Sequence, residues 1–177
     1  MKTLLLFRHA TSSWDDASLP DHRRPLAPRG RRAAPAVAAQ LRELDAVPDL
    51  VLSSTSQRTR QTIQLALVLL GHPMVEFDEV LYLAGPSQIL RSIRATDDLV
   101  DTLMLVGHNP GMHEISIALT DRDASTAAAR LDAKFPTAAV AVVEFDVDRW
   151  EDIGPGLGRL AHFVRPKDLP IAERDRL

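Results

Sequence analysis

A chain of 177 residues, 45% of them hydrophobic and 25% charged, is long enough for one α/β domain with a full core and too short for two. Its formal net charge of -3 argues against a dedicated nucleic-acid binder, which would normally be strongly basic. The absence of cysteine excludes disulfides, cysteine zinc ligands and a cysteine nucleophile. No apolar run is long enough to cross a membrane, and the run at 3–7 is too short for a signal peptide, so we expect a cytoplasmic protein without a membrane partner.

Short apolar runs predict buried strands along the chain. The strand candidates are 2–7, 49–53, 102–107, 138–145 and 159–164. The first three have the length and composition of parallel strands that are covered on both faces. The glycine-rich loop 146–158 between the last two predicts an antiparallel hairpin near the C-terminus.

Helical periodicity lies between these runs. The predicted helices are 28–45, 56–70, 86–95 and 110–120. Strands that alternate with helices predict a three-layer α/β/α sandwich with a mostly parallel central sheet. We assign residues 1–166 to this single domain and interpret 167–177 as an exposed C-terminal tail.

Polar segments follow three of the predicted strands. Arg8 and His9 follow the first strand, 54–58 follows the second, and His108 follows the strand at 102–107. Ligands bind in the crevice beyond the carboxyl ends of the strands in open α/β sheets, so we expect these segments to converge there. Each segment alone is ordinary, as a surface pair, a helix cap or a turn, and only their convergence indicates a site.

The residue types in these segments suit phosphoryl transfer. Arginine carries a permanently charged fork that matches two phosphate oxygens, and a neutral imidazole can attack phosphorus to form a phosphohistidine. The candidate catalytic residues are Arg8, His9, Arg58 and His108. Ser54 and Thr11, together with backbone N–H groups at the start of the helix 56–70, are candidates to complete the phosphate-binding pocket.

Three motifs occur in the order seen in the histidine phosphatase superfamily. Residues 7–10 (FRHA) resemble its opening Arg-His signature, 54–58 resemble its serine-to-arginine motif, and 106–110 (VGHNP) resemble its late Gly-His motif. The segments 11–14 and 134–138 are similar to those of the SixA-type phosphohistidine phosphatase branch, as is 21–30.

The resemblance implies a phosphoglycerate mutase-like fold, with His9 as the nucleophile and Arg8, Arg58 and His108 as the phosphate pocket. It implies a phosphatase that acts on phosphohistidine in a protein of a phosphorelay or phosphotransfer system. Histidine and carboxylate pairs with metal-ligand spacing are absent from the sequence, so we expect no metal and no cofactor.

The general acid of the family is in doubt in this chain. Many members carry a glutamate after a third strand, which the resemblance places before residue 78, between the strands at 49–53 and 102–107. Here Leu83 occupies the position of that glutamate, with Glu79 and Asp78 as shifted alternatives. General acid catalysis is typically worth about 10²–10⁴-fold, which a phosphomonoester needs more than a phosphoramidate whose nitrogen can be protonated before attack. Leu83 therefore favours phosphohistidine as the substrate.

Two other functions remain open from the sequence: a phosphatase of a small phosphorylated metabolite, and a non-catalytic phosphate-binding module.

A basic run raises a further question about partners. It contains Arg23, Arg24, Arg29, Arg31 and Arg32. Such a run is either a solvated face or a docking surface for an acidic phosphoprotein.

Overall fold

The computed structural model describes residues 1–121 and 123–171. Within these ranges six strands form one sheet in the order β3-β2-β4-β1-β5-β6. The strands are β1 (Lys2–Arg8), β2 (Leu50–Ser53), β3 (Met74–Phe77), β4 (Thr102–Gly107), β5 (Val140–Phe145) and β6 (Arg159–Val164). Neighbouring strands from β3 to β1 are parallel, whereas β5 runs antiparallel to both β1 and β6.

Five α-helices connect these strands within the described ranges. They are α1 (Pro28–Glu43), α2 (Gln57–Leu67), α3 (Pro86–Arg94), α4 (Gly111–Leu119) and α5 (Thr126–Ala133). Short 3-10 helices lie at Asp21–Arg23, Glu79–Leu81, Trp150–Asp152 and Pro166–Asp168. Each of these helices is too short or too polar to cross a bilayer.

The core lies on both faces of the sheet because successive strand residues point to opposite sides. In β1, Leu4 and Leu6 pack in one cluster with residues of α3, α4 and α5. Leu5 and Phe7 pack in the other cluster with residues of α1 and α2. The predicted three-layer α/β/α sandwich, with a mostly parallel sheet and an antiparallel hairpin near its end, is confirmed.

Hydrophobic patterns in the sequence do not predict two of these elements, and one of them, β3, is expected only from the family resemblance, which places a third strand before residue 78. The strand β3 is at the edge of the sheet and is mostly exposed, so it lacks the apolar run of a buried strand. The helix α5 buries only Leu131, which leaves its apolar pattern weak. Its N-cap is Ser125, whose side chain accepts from the N–H of Ala128.

The segment interpreted as a tail begins against the domain. Leu169 and Ile171 are half-buried and pack on the cluster formed with α1. Arg165 holds Asp168 through two hydrogen bonds of 2.7 and 3.0 Å. Residues 172–177 of the interpreted tail lie outside the described ranges.

Candidate active site

The three polar segments converge because β1, β4 and β2 are neighbours in the sheet. The N–H of His9 donates to the carbonyl of Gly107 at 3.1 Å. The N–H of Ser54 donates to the carbonyl of Val106 at 3.0 Å. These bonds extend the strand pairing by one residue past the carboxyl ends of the strands, which brings His9, Ser54 and His108 to the same edge.

His9 presents one unprotonated ring nitrogen. Its Nδ1 lies 2.7 Å from the carbonyl oxygen of Ala10, which can only accept, so Nδ1 carries the proton and Nε2 has a lone pair. Burial lowers the pKa of His9 to about 4, and the charges of Arg58 and Arg8 add to that effect against the hydrogen bond to Ala10. The imidazole is therefore neutral at neutral pH, as a nucleophile must be.

His108 is fixed in the opposite tautomer. Arg58 donates to its Nδ1 at 3.2 Å, so Nε2 carries the proton and donates to Oγ of Ser54 at 2.8 Å. Burial lowers the pKa of His108 to about 3, with further lowering from the His9 ring and Arg58. His108 therefore offers a neutral N–H donor, and its ring centroid lies 5.3 Å from that of His9.

Arg58 lies in the first turn of α2 and is only 4% exposed. One terminal nitrogen donates to the backbone carbonyl of Asp21 at 2.8 Å, and the other donates to Oδ2 of Asp21 at 3.0 Å. Because the same second nitrogen also contacts His108, the guanidinium is held from two sides. Its orientation is therefore set before any substrate binds.

Asp21 holds more than one cation. Its carboxylate also accepts from Arg24 at 3.0 Å and from the hydroxyl of Tyr82. Burial alone would raise the pKa of Asp21, but the Tyr82 hydrogen bond and the Arg58 charge lower it to about 2. Asp21 is therefore ionised at neutral pH.

Arg8 has a buried donor without a protein partner. Its Nη1 donates to the carbonyl of Phe135 at 3.0 Å, while its Nε makes no hydrogen bond within the described residues. Asn109 donates to the same carbonyl at 2.9 Å. Buried donors are rarely left unpaired, so the Arg8 Nε is suited to an anionic ligand.

These groups border a cleft of about 300 Å³. Its described lining residues are Arg8, His9, Thr11, Ser12, Trp14, Arg24, Arg58, Leu83, His108, Asn109 and Thr137. Three of these are arginines and none is a carboxylate. The guanidinium of Arg24 lies 3.2 Å from the ring centroid of Trp14, and the hydroxyls of Thr11 and Thr137 are 2.8 Å apart. The arrangement can hold a phosphoryl group beside a neutral imidazole.

Comparison with known proteins identifies the family of this site. The family described as the histidine phosphatase superfamily (branch 1) matches residues 4–81. An uncharacterized protein of Mycobacterium tuberculosis, Rv1276c, is 38% identical over 162 residues, which cover 90% of this chain and 99% of the relative.

Solved structures place the chain in the SixA-type branch. One such structure, from Nakamurella multipartitia, is of a protein assigned as the phosphohistidine phosphatase SixA. It is 30% identical to this chain with a TM-score of 0.80, and the match covers 93% of this chain and 96% of that one. The corresponding SixA structure from Agrobacterium tumefaciens is 29% identical with a TM-score of 0.78, covering 93% and 98%. The chain therefore belongs to the histidine phosphatase superfamily. It is a phosphatase with the phosphoglycerate mutase-like fold of that superfamily.

The structure brings most of the predicted site residues of this phosphatase to one cleft. Arg8, His9, Thr11, Arg58 and His108 all border it. Ser54 does not border it within the described residues; it is fully buried and binds the ring of His108.

Sequence reasoning missed the role of Asp21 and Arg24. Arg24 was interpreted as part of a surface run, but it is 7% exposed and borders the cleft. Asp21 was noted only within the segment 21–30 that resembles the SixA branch, and that resemblance was the signal that could have found both residues. Tyr82, which binds Asp21, had no signal in the sequence.

The region after β3 supplies no acid to the cleft. Leu83 borders it, is 55% exposed, and has a positive φ of 52°. Asp78 instead accepts from the N–H of Val80 at 2.9 Å and caps the 3-10 helix, while Glu79 is exposed and lies outside the cleft lining. The described residues also contain no cluster of three histidine, aspartate or glutamate side chains that could hold a metal ion.

Proposed function

We propose that this histidine phosphatase hydrolyses phosphohistidine on a protein of a phosphorelay or phosphotransfer system. The observation that carries the proposal is that Leu83 borders the cleft while no carboxylic acid does so among the described residues. A cleft without an acid selects for a leaving group that does not need one.

His9 is the nucleophile of the proposed reaction. The lone pair on its Nε2 attacks phosphorus and forms a new P–N bond, while the P–N bond to the substrate imidazole breaks. The hydrogen bond from Nδ1 to Ala10 stabilises the positive charge that develops on the ring during attack. Water then attacks phosphorus and the P–N bond to His9 breaks. Inorganic phosphate leaves with both protons of the water, and His9 regains its lone pair.

Arg8, Arg58 and His108 bind the phosphoryl oxygens in this proposal. Two guanidinium groups supply fixed positive charge, and the Nε2–H of His108 can turn from Ser54 to an oxygen of the phosphoryl group. Thr11 borders the cleft with a hydroxyl that can join them, and Ser54 acts by positioning His108. Preorganised donors of this kind stabilise a loose transition state of phosphoryl transfer.

Protonation of the leaving group decides the substrate class. A substrate phosphohistidine can take a proton from water on its distal ring nitrogen, so that a neutral imidazole leaves. An alkyl ester leaves as an alkoxide unless an acid protonates it. Asp21 is the carboxylate that contacts Arg58 and Arg24. Its partial burial would raise its pKa, but the hydrogen bond from Tyr82 and the charge of Arg58 lower the pKa to about 2. Asp21 is therefore ionised at neutral pH and cannot donate that proton.

The test is a kinetic comparison of leaving groups. We expect kcat/KM for a histidine-phosphorylated peptide and for phosphoramidate to exceed that for alkyl phosphomonoesters by about 10²–10⁴-fold, the typical worth of a general acid. Aryl phosphates should fall between these two groups. Equal efficiency on alkyl esters and phosphoramidates would reject the proposal and favour a small-metabolite phosphatase.

A substitution at the acid position sharpens that comparison. Leu83→Glu should raise alkyl ester hydrolysis relative to phosphoramidate hydrolysis, because the side chain borders the cleft and is exposed enough to avoid a large burial penalty. Leu83→Gln is the matched control, since it has the same shape and cannot donate the proton of a carboxylic acid. An equal change in both variants would exclude a role for acidity.

A further inference from the structure

A second concave surface adjoins the catalytic cleft. It consists of two cavities of about 440 and 460 Å³ that share Arg29, Pro166 and Lys167, and we call it the basic groove. Its cationic lining residues are Arg29, Arg32, Arg130, Lys134, Arg165 and Lys167. No aspartate or glutamate lines either cavity among the described residues.

The charge of the basic groove is only partly compensated. Asp168 binds Arg165 at 2.7 Å and lies 4.0 Å from Arg130, so those two cations share one carboxylate. Arg29, Arg32, Lys134 and Lys167 form no ion pair within residues 1–121 and 123–171. A surplus of positive charge on a chain with a net charge of -3 creates a local potential that attracts anions.

The basic groove and the catalytic cleft share a wall. Thr137 lines both, and Lys134 and Pro136 line the groove. Phe135 lies between Lys134 and Pro136 in the sequence, and its carbonyl accepts hydrogen bonds from Arg8 and Asn109 on the cleft side. A polypeptide with its phosphorylated side chain in the cleft would therefore reach the groove across Thr137.

The shape of the basic groove favours a polypeptide over a single phosphate. Its two cavities together are about three times the volume of the catalytic cleft. Its lining also contains apolar residues, among them Ala33, Ala129, Ala133, Leu169 and Ile171. Such mixed surfaces bind carboxylate side chains together with the apolar parts of the same segment.

We propose that the basic groove docks an acidic segment of the phosphoprotein substrate next to its phosphohistidine; this deepens the proposed function and rests on it. Only part of the basic run in the sequence takes part. Arg29 and Arg32 line the groove, whereas Arg24 lines the catalytic cleft, and Arg23 and Arg31 line neither surface.

The experiment uses two histidine-phosphorylated peptides of equal length, one with glutamates and one with glutamines around the phosphohistidine. We expect kcat/KM at low ionic strength to be about tenfold higher for the glutamate peptide, since it forms ion pairs with the groove that the glutamine peptide cannot form. The preference should decline as salt screens the charges. In the double variant Arg29→Glu/Lys167→Glu it should disappear, while turnover of phosphoramidate stays unchanged.

The matched control is Arg31→Glu/Arg91→Glu, which makes the same change in net charge at exposed residues outside the groove. This variant should keep the preference for the glutamate peptide. Loss of the preference in the control, or its survival in the groove variant, would overturn the proposal. An equal loss on phosphoramidate in the groove variant would also overturn it, because the groove would then act on the phosphate itself.

Fluorescence anisotropy of the labelled, unphosphorylated peptides separates docking from chemistry. Tighter binding of the glutamate peptide than of the glutamine peptide, weakened only in the groove variant, supports docking whatever the turnover. If the protein binds the peptides in this way but turns over neither phosphopeptide, the proposal of a phosphohistidine substrate is refuted and the docking proposal is retained. Equal binding of both peptides to the unmodified protein would refute docking alone.

Discussion

At the scale of single residues, the proposed role of His9 as the nucleophile predicts how the reaction depends on pH. Burial lowers the pKa of His9 to about 4, with Arg58, Arg8 and Arg24 adding to the effect. His9 is therefore unprotonated at a pH above this pKa and protonated at a pH below it. We expect the acid limb of kcat/KM for phosphoramidate to fall near pH 4 rather than near the ordinary value of 6.5.

The same limb reports on Arg24. Replacement of Arg24 by Gln removes one positive charge that lowers the pKa of His9, so the acid limb should move to higher pH. Circular dichroism at each pH checks that the fold persists over the measured range. An acid limb near 6.5 in the unmodified protein would contradict the assignment of His9 as a buried nucleophile.

Asp21 is the residue on which the orientation of Arg58 depends. Asp21→Asn keeps the size of the side chain but removes the charge that holds Arg58 and Arg24. A hydrogen bond to a charged group is worth about 1.5–3 kcal/mol, so we expect kcat/KM to fall by about tenfold or more. The affinity for inorganic phosphate as a product inhibitor should weaken in parallel.

The control for this substitution is Asp16→Asn. Asp16 is exposed, and its carboxylate accepts hydrogen bonds only from Ser18 within the described residues. It should leave both kcat/KM and phosphate affinity unchanged. If Asp21→Asn behaves like this control, Arg58 does not need the carboxylate for its orientation.

At the scale of elements, the first turn of α1 is packed tightly against the loop that follows β1. A Cβ at Gly30 would lie 2.2 Å from the carbonyl oxygen of Thr11, so one of the two segments must move. We expect Gly30→Ala to destabilise the protein by about 1–3 kcal/mol, as overpacking does, and to reduce activity because Thr11 borders the cleft. Thermal unfolding and kcat/KM measure the two effects.

Gly85→Ala is the matched control for that substitution. Gly85 precedes α3 with a φ of -80°, and a Cβ there would meet nothing within 4 Å. Its melting temperature should therefore stay close to that of the unmodified protein. Equal stability of the two variants would show that a Cβ at Gly30 fits against Thr11 without destabilising the fold.

Sequence patterns predicted the buried elements better than the exposed ones. β1 and β4 are continuous apolar runs because both faces of the sheet are covered there, and that signal is local. β3 and α5 bury little, so local hydrophobicity could not predict them. The helix predicted at 56–70 is α-helical only over Gln57–Leu67. The prediction extends further because the apolar pattern continues through the turns that follow the helix.

The candidate site divides in the same way. His9 and His108 were predicted to meet because each follows a buried strand, and parallel strands place their carboxyl ends together. The contact between Asp21 and Arg58 joins residues 37 positions apart, through a loop without periodicity. Only tertiary packing brings this pair together, so hydrophobic periodicity could not predict the contact.

At the scale of the whole molecule, the two buried histidines couple stability to pH. The pKa is lowered by burial to about 4 for His9 and to about 3 for His108, while an unfolded chain binds these protons near 6.5. The unfolded state therefore binds more protons below 6.5, and the free energy of unfolding should fall as pH falls from 6.5 toward 4. Each unit of pKa difference corresponds to about 1.4 kcal/mol, so the loss amounts to several kcal/mol.

Denaturant unfolding at a series of pH values measures this loss. The variant His9→Asn removes one of the two sites and should show a shallower decline over the same range. A free energy of unfolding that stays constant between pH 6.5 and 4 would contradict the burial of neutral histidines in the fold.

The most direct test of the central claim, that His9 carries the phosphoryl group, is chemical identification of the phosphorylated residue. The protein is mixed with phosphoramidate, quenched rapidly in base, digested and analysed by mass spectrometry. We predict an acid-labile, base-stable phosphate on His9, and no trapped phosphate and no turnover in His9→Asn. Phosphate trapped on any other residue, or turnover that persists in His9→Asn, would contradict the account.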